Sequence, residues 1–136
     1  MTAREYLEQV KVIDSKIRRL ERERDELRAD LYRVGSPAKM NERVQTSTSG
    51  DTFLRLIAKI DKKDREIARE VARLVDAKNR IIRQIERLKK ESLRAVLIYR
   101  YVMGLKWDDI GKQMNYSARS CQILHGEALR EFAKIL

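Results

Sequence analysis

One cysteine, one histidine and one proline are all that this chain of 136 residues has of those types. A lone cysteine, Cys121, excludes an internal disulfide and any cysteine-based metal cluster. A lone histidine, His125, leaves zinc sites and histidine-based catalysis without their parts. No phosphate-binding loop, nucleophile–base pair or clustered pocket carboxylates stand out. The chain therefore reads as a non-enzyme with no catalytic residues, no metal and no cofactor. No apolar run approaches the roughly 20 residues that span a bilayer. Met1 leads into a charged amphipathic stretch rather than a signal peptide. The expectation is a cytoplasmic protein with no membrane partner.

What is abundant is charge. Charged residues make up 38% of the chain and hydrophobic ones 43%, which with so little proline and glycine points to long solvent-exposed helices. The net charge is +10, which favours a polyanionic partner. The excess of Lys and Arg over Asp and Glu is one over residues 1–34, none over 35–51, six over 52–91 and three over 92–136.

Thr2-Ala3-Arg4-Glu5 has the form of a capping box. From there Tyr6, Val10, Ile13, Ile17, Leu20, Leu27, Leu31 and Val34 recur at steps of four and three, with Arg24 the one polar interruption. That is a heptad seam, and it predicts a helix over about 2–34, roughly 50 Å long at 1.5 Å per residue. Gly35-Ser36-Pro37 stops it, and residues 35–51 read as a loop with one short turn near Met40–Val44. A second helix is expected over about 52–90. Its seam is Phe53, Ile57, Ile60, Ile67, Val71, Leu74, Ile81, Ile85 and Leu88, with Asp64 and Lys78 as polar breaks.

Folding one seam antiparallel onto the other brings Arg24 within about one layer of Asp64, and a buried charge that meets its opposite can fix register. The two are expected to pair. Beside the second seam runs a further apolar row, Leu54, Ala68, Val75 and Ile82, broken only by Asp61. So wide an apolar face needs more than one partner helix, either the C-terminal region or a second subunit. A homodimer built through the hairpin as a four-helix bundle is the preferred expectation.

From Lys78 to Lys90 the outer face turns basic, with Lys78, Arg80, Arg83, Arg87, Lys89 and Lys90 against Glu86. A domain boundary is expected at Glu91-Ser92. Leu93, Val96, Leu97, Tyr101 and Val102 mark the next helix, which Met103-Gly104 ends. Then Trp107–Gly126 reads as helix, tight turn, helix, the unit that sets a helix into the major groove of DNA. Ile110, Gly111, Met114, Tyr116, Cys121 and Leu124 occupy the positions that two steeply crossed helices bury. Gly111 is the small residue at the close approach. Asn115 suits the left-handed turn, and Ser117 is an N-cap. The fold class is thus all-α: a long antiparallel helical hairpin over residues 1–91 and a helix-turn-helix domain over 92–136.

The stretch RYVMGLKWDDIGKQMNYSARSCQILHGEALREF resembles the region-4 helix-turn-helix of bacterial sigma factors. Arg100-Tyr101, Gly104, Ile110-Gly111, Ser117 and Ala128-Leu129 carry the likeness. The TAREYLEQV start and the ERVQTS and GDTFLRLIAKI pieces resemble a family of small phage and prophage regulators related to the RinA and ArpU types. That resemblance implies regulation of phage genes through promoter DNA and contact with the host RNA polymerase, in a bacterial cell and at its nucleoid. Where sigma factors carry the residues that read their promoter element, this chain has Ala118-Arg119-Ser120 and Gln122-Ile123, so that specificity does not carry over.

With Cys121 and Leu124 inward, Ser117, Arg119, Ser120, Gln122 and Ile123 are left to face the bases. Arginine takes guanine at two points, glutamine takes adenine and isoleucine touches a thymine methyl. Arg94, Arg100, Lys106, Lys112, Lys89 and Lys90 are the candidate phosphate contacts. The expected function is sequence-specific binding of double-stranded DNA by a transcription regulator. Two alternatives stand beside it: a small-terminase-like DNA-packaging subunit, and a structural coiled-coil adaptor without DNA binding.

Overall fold

A computed structural model of the chain describes residues 1–35 and 49–136, Ser49 by its backbone alone. The described residues form five α-helices and no strand. They are α1 (Ala3–Val34), α2 (Ser49–Ile85), α3 (Glu91–Leu97), α4 (Trp107–Met114) and α5 (Ala118–Ile135). The all-α expectation holds. Thr2 and Glu5 cap α1 reciprocally, each backbone N–H donating to the other's side chain at 3.1 Å. The turn expected near Met40–Val44 lies outside the described residues. Helix α2 starts at Ser49, earlier than the expected 52, and stops at Ile85 rather than 90. Arg87, Lys89 and Lys90 therefore sit on the connection to α3 and not on a helix face.

The chain divides into two compact units: Ser15–Ala72 is one, and Met1–Asp14 with Arg73–Leu136 is the other. Within the first unit α1 and α2 run antiparallel, as their ion pairs record. Lys16 meets Glu70 at 3.0 Å, Glu23 meets Lys63 at 2.6 Å, and Arg24 meets Asp64 at 3.5 Å. The expected Arg24–Asp64 pair is present, with Arg28 also 3.9 Å from Asp64. The hydrogen bond from Lys63 holds the Glu23 carboxyl below the usual carboxylate range and lifts the Lys63 ammonium above its own.

On α1 the expected seam is the buried row: Ile17 and Leu20 are buried, and Leu27, Leu31 and Val34 are half-covered. On α2 the covered row differs. It includes Ile60, Lys63, Ile67 and Glu70, while Phe53, Ile57 and Val71 of the expected seam stay exposed. The reason is the ion pairs. Lys63 and Glu70 turn toward α1 to meet Glu23 and Lys16, and that rotation leaves the apolar row uncovered.

The second unit holds one hydrophobic core. Leu7 and Val10 of α1 join Ile81, Ile85 and Leu88, then Leu93, Val96 and Leu97, and finally Ile110, Cys121, Ala128 and Phe132. Tyr6 packs on Phe132 with ring centroids 5.9 Å apart. The helix that was expected to run to Val102 does so, but from Ile98 to Val102 it widens into a π-helical turn. Met103 N–H donates to the Ile98 carbonyl at 2.9 Å, five residues back, and Gly104 closes the turn at φ 70°.

Candidate nucleic-acid interface

Helices α4 and α5 are joined by a turn that each of its residues explains. Asn115 ends α4 in the left-handed region at φ 60° and ψ 39°. Ser117 N-caps α5, its hydroxyl accepting from the Ser120 N–H at 3.1 Å and donating to the Ser120 hydroxyl at 2.9 Å. A Cβ on Gly111 would lie 2.6 Å from the Tyr116 carbonyl oxygen. The glycine therefore admits the backbone of the turn itself, more than the body of α5. Tyr116, expected to be buried, is 51% exposed and stands at the rim of the turn. Met114 and Leu124 are half-buried as the two helices close on each other.

Helix α5 is two-faced. Cys121, His125, Ala128 and Phe132 fill its buried side, packed against α3 and α4. The opposite side presents Arg119, Gln122 and Ile123, with Ile123 66% exposed. Ser117 and Ser120 are exposed beside them, so all five expected base-reading residues lie together at the start of α5. An isoleucine this exposed has no place in the core to serve, and its helix has spent its apolar residues on the other side.

The same strip continues to two residues that periodicity alone did not single out. Gly126 and Arg130 follow Arg119 at seven and eleven residues, on the same face at 3.6 residues per turn. A Cβ on Gly126 would meet only the tip of the Arg130 guanidinium, at 3.7 Å, so Arg130 folds back along the helix over the glycine. Glycine in a helix interior costs about 1 kcal/mol relative to alanine. Its signal in the sequence is that unfavourable choice on an exposed face.

The expected phosphate contacts fall into two groups. Lys106, Lys112 and Lys89 are exposed. Lys106 precedes α4, Lys112 lies in its last turn, and Lys89 is on the connection to α3. Lys90 is also exposed, but its ammonium pairs with Glu127 on the flank of α5 at 3.0 Å, which offsets an acidic charge next to the strip. Arg94 and Arg100 are half-buried and engaged with backbone. Arg94 donates to the carbonyls of Leu88 and Lys89, holding the connection before α3. Arg100 donates to the Leu105 carbonyl at 3.0 Å and lies 4.6 Å over the Trp107 ring, holding the connection before α4.

Behind the strip is a polar cluster that the sequence did not announce. His125 is only 6% exposed, 2.6 Å from the Tyr101 hydroxyl and edge-on to Trp107 at 4.9 Å. Burial, together with the nearby Arg4 and Arg100, pushes its pKa from 6.5 down to about 4, so it is neutral at pH 7. Burial also pushes the Tyr101 phenol and the Cys121 thiol up. Cys121 thus behaves as a small apolar residue.

Among the described residues no group of three or more His, Cys, Asp or Glu is placed to hold a metal ion. No described helix is long and apolar enough to cross a membrane. Comparison of the chain with family models, with curated proteins and with solved structures finds no match.

Proposed function

We propose that this chain is a sequence-specific DNA-binding regulator of transcription that reads duplex DNA with α5 and acts as a homodimer. The observation that carries this reading is the strip of exposed Arg119, Gln122, Ile123 and Arg130 with half-buried Gly126 among them, on a helix whose other face is the domain core. An α-helix fits the major groove, where bidentate arginine, glutamine and an apolar methyl contact distinguish base pairs. The glycine lets the helix backbone come near the sugar–phosphate wall. Lys106, Lys112 and Lys89 lie exposed around this helix unit and supply the phosphate contacts that position without specifying. In this reading Arg94 and Arg100 act indirectly, by fixing the connections that carry Lys89 and Lys106. The net charge of +10 suits a polyanion. The likeness of this stretch to sigma region 4 and of the chain to small phage regulators points to promoter DNA and to the host RNA polymerase as a second partner.

Selection of bound fragments from randomised duplex DNA tests the proposal. The expected result is enrichment of a short motif, with log affinity falling against log salt at a slope of roughly −3 per subunit, for about three neutralised phosphates. Recovery of unselected sequence, or no salt-sensitive binding to any duplex, would count against it.

A further inference from the structure

Helix α2 leaves a row of large apolar side chains uncovered. Phe53, Leu54, Ile57, Val71 and Val75 all lie on this one helix and are 39–64% exposed. Together they offer on the order of 400 Å² of apolar surface, comparable to the largest patch on a typical monomer, which is often functional. With Ile60 and Ala68, the row is symmetric about Asp64. Ile60 and Ala68 lie four residues to either side, Ile57 and Val71 seven, and Phe53 and Val75 eleven. These six fall within about 80° of arc at 3.6 residues per turn, so they form one stripe. A two-fold interface needs this property, because each residue that touches another must be touched by it in turn.

We infer that a second copy of the chain packs antiparallel along α2, with the two-fold axis passing beside Asp64. Ile57 then meets the partner's Val71, and Ile60 the partner's Ala68. The charges agree with that arrangement. Each Asp64 is flanked by its own Arg24 and Arg28, at 3.5 and 3.9 Å, so the two carboxylates approach among arginines. Asp61 and Arg65, paired along α2 at 2.6 Å, sit on one flank of the stripe three residues before and one residue after the axis. Antiparallel packing faces like flanks, which sets each Asp61 beside the partner's Arg65 about 3 Å along the axis, where the ion pairs can exchange between copies. A parallel two-fold pair would instead put the Asp61 and Arg65 flanks on opposite sides of the interface, where no such exchange is possible. The inference deepens the homodimer reading given above and rests on it, while it is independent of DNA.

Sedimentation of the full chain and oxidative cross-linking test it together. The expected mass is that of a dimer, and Ile57→Asp, at an exposed position, should give a monomer with unchanged helical circular dichroism. Antiparallel contact brings facing backbones to the roughly 4.4–6.8 Å that a disulfide needs. A mixture of Ile57→Cys and Val71→Cys chains should therefore form a covalent heterodimer, while neither variant cross-links to itself. A monomeric wild type would overturn the dimer reading altogether. A dimer in which Ile57→Cys links to Ile57→Cys, or in which the mixture does not link, would overturn this arrangement alone. Neither result bears on DNA binding.

Discussion

Acid should destabilise this protein through one side chain before any other. His125 is the only histidine of the chain, and it is held neutral in the folded state, with its pKa moved from 6.5 to about 4 by burial and by Arg4 and Arg100. The unfolded chain takes up a proton at this site below pH 6.5 and the folded chain does not. Stability is therefore fully present above about pH 7 and is lost as pH falls toward 4, where the loss levels off. Applied between about pH 7.5 and pH 4.5, the two pKa values give a loss of about 2–3 kcal/mol. The paired carboxylates Glu23 and Glu131, held low by Lys63 and Lys134, contribute only below that window. The assay is urea denaturation across the range for the wild type and for His125→Gln, whose amide can still partner the Tyr101 hydroxyl. The wild type should lose the stated amount and the variant should show a nearly flat profile. Nuclear magnetic resonance gives the same quantity directly, since one imidazole supplies the only histidine signals. A midpoint near 6.5 in the folded protein, or equal pH dependence in both chains, would refute the assignment of His125 as a buried neutral core residue.

Other substitutions probe the turn, the strip and the hairpin separately. Gly111→Ala gains up to about 1 kcal/mol in helix propensity, yet its methyl would meet the Tyr116 carbonyl at 2.6 Å, and a backbone group cannot move aside as a side chain would. Thermal denaturation should show a net loss of about 1–3 kcal/mol, and a raised Tm would mean that the turn has room for a methyl group at this position. Gly126→Ala should act oppositely on the fold, adding up to about 1 kcal/mol of stability while weakening DNA binding; a stabilised variant with unchanged affinity would remove the glycine from the interface. For Arg24 and Asp64, a double-mutant cycle in chemical denaturation should give a coupling of about 0.5–1 kcal/mol, modest because the pair is partly exposed. Strictly additive losses would show that the two charges do not communicate.

Much of this molecule was legible where local chemistry decides. The Thr2–Glu5 box, the left-handed Asn115 and the Ser117 cap each depend on a few neighbouring residues and were found as expected, while Gly111 is close-packed against the turn backbone rather than against the second helix. The Arg24–Asp64 pair followed from heptad register. The rest depended on competition between residues far apart in the chain. A seam chosen for apolar content placed Ile57 and Val71 inside, but Lys63 and Glu70 won the inner positions through their partners Glu23 and Lys16. The end of α2 at Ile85 was invisible because no proline or glycine marks it; Arg94 holds that connection from a helix further on. In the candidate interface the exposed side of α5 could be read by subtracting the buried positions. The engagement of Arg94 and Arg100 could not, since an arginine in a helix looks the same whether it meets phosphate or carbonyl. His125 belonged to the core only because Tyr101 and Trp107 come to it from other elements.

The central claim is that α5 reads bases while the lysines around it only hold phosphate, and one comparison tests it most directly. Affinities of the wild type, Arg119→Ala and Lys112→Ala are measured for the selected duplex and for a scrambled one at a single salt concentration. Arg119→Ala should lower discrimination between the two duplexes by about 1–3 kcal/mol. Lys112→Ala should weaken both duplexes alike and leave discrimination intact. Equal effects of the two substitutions on discrimination, or none from either, would contradict the account.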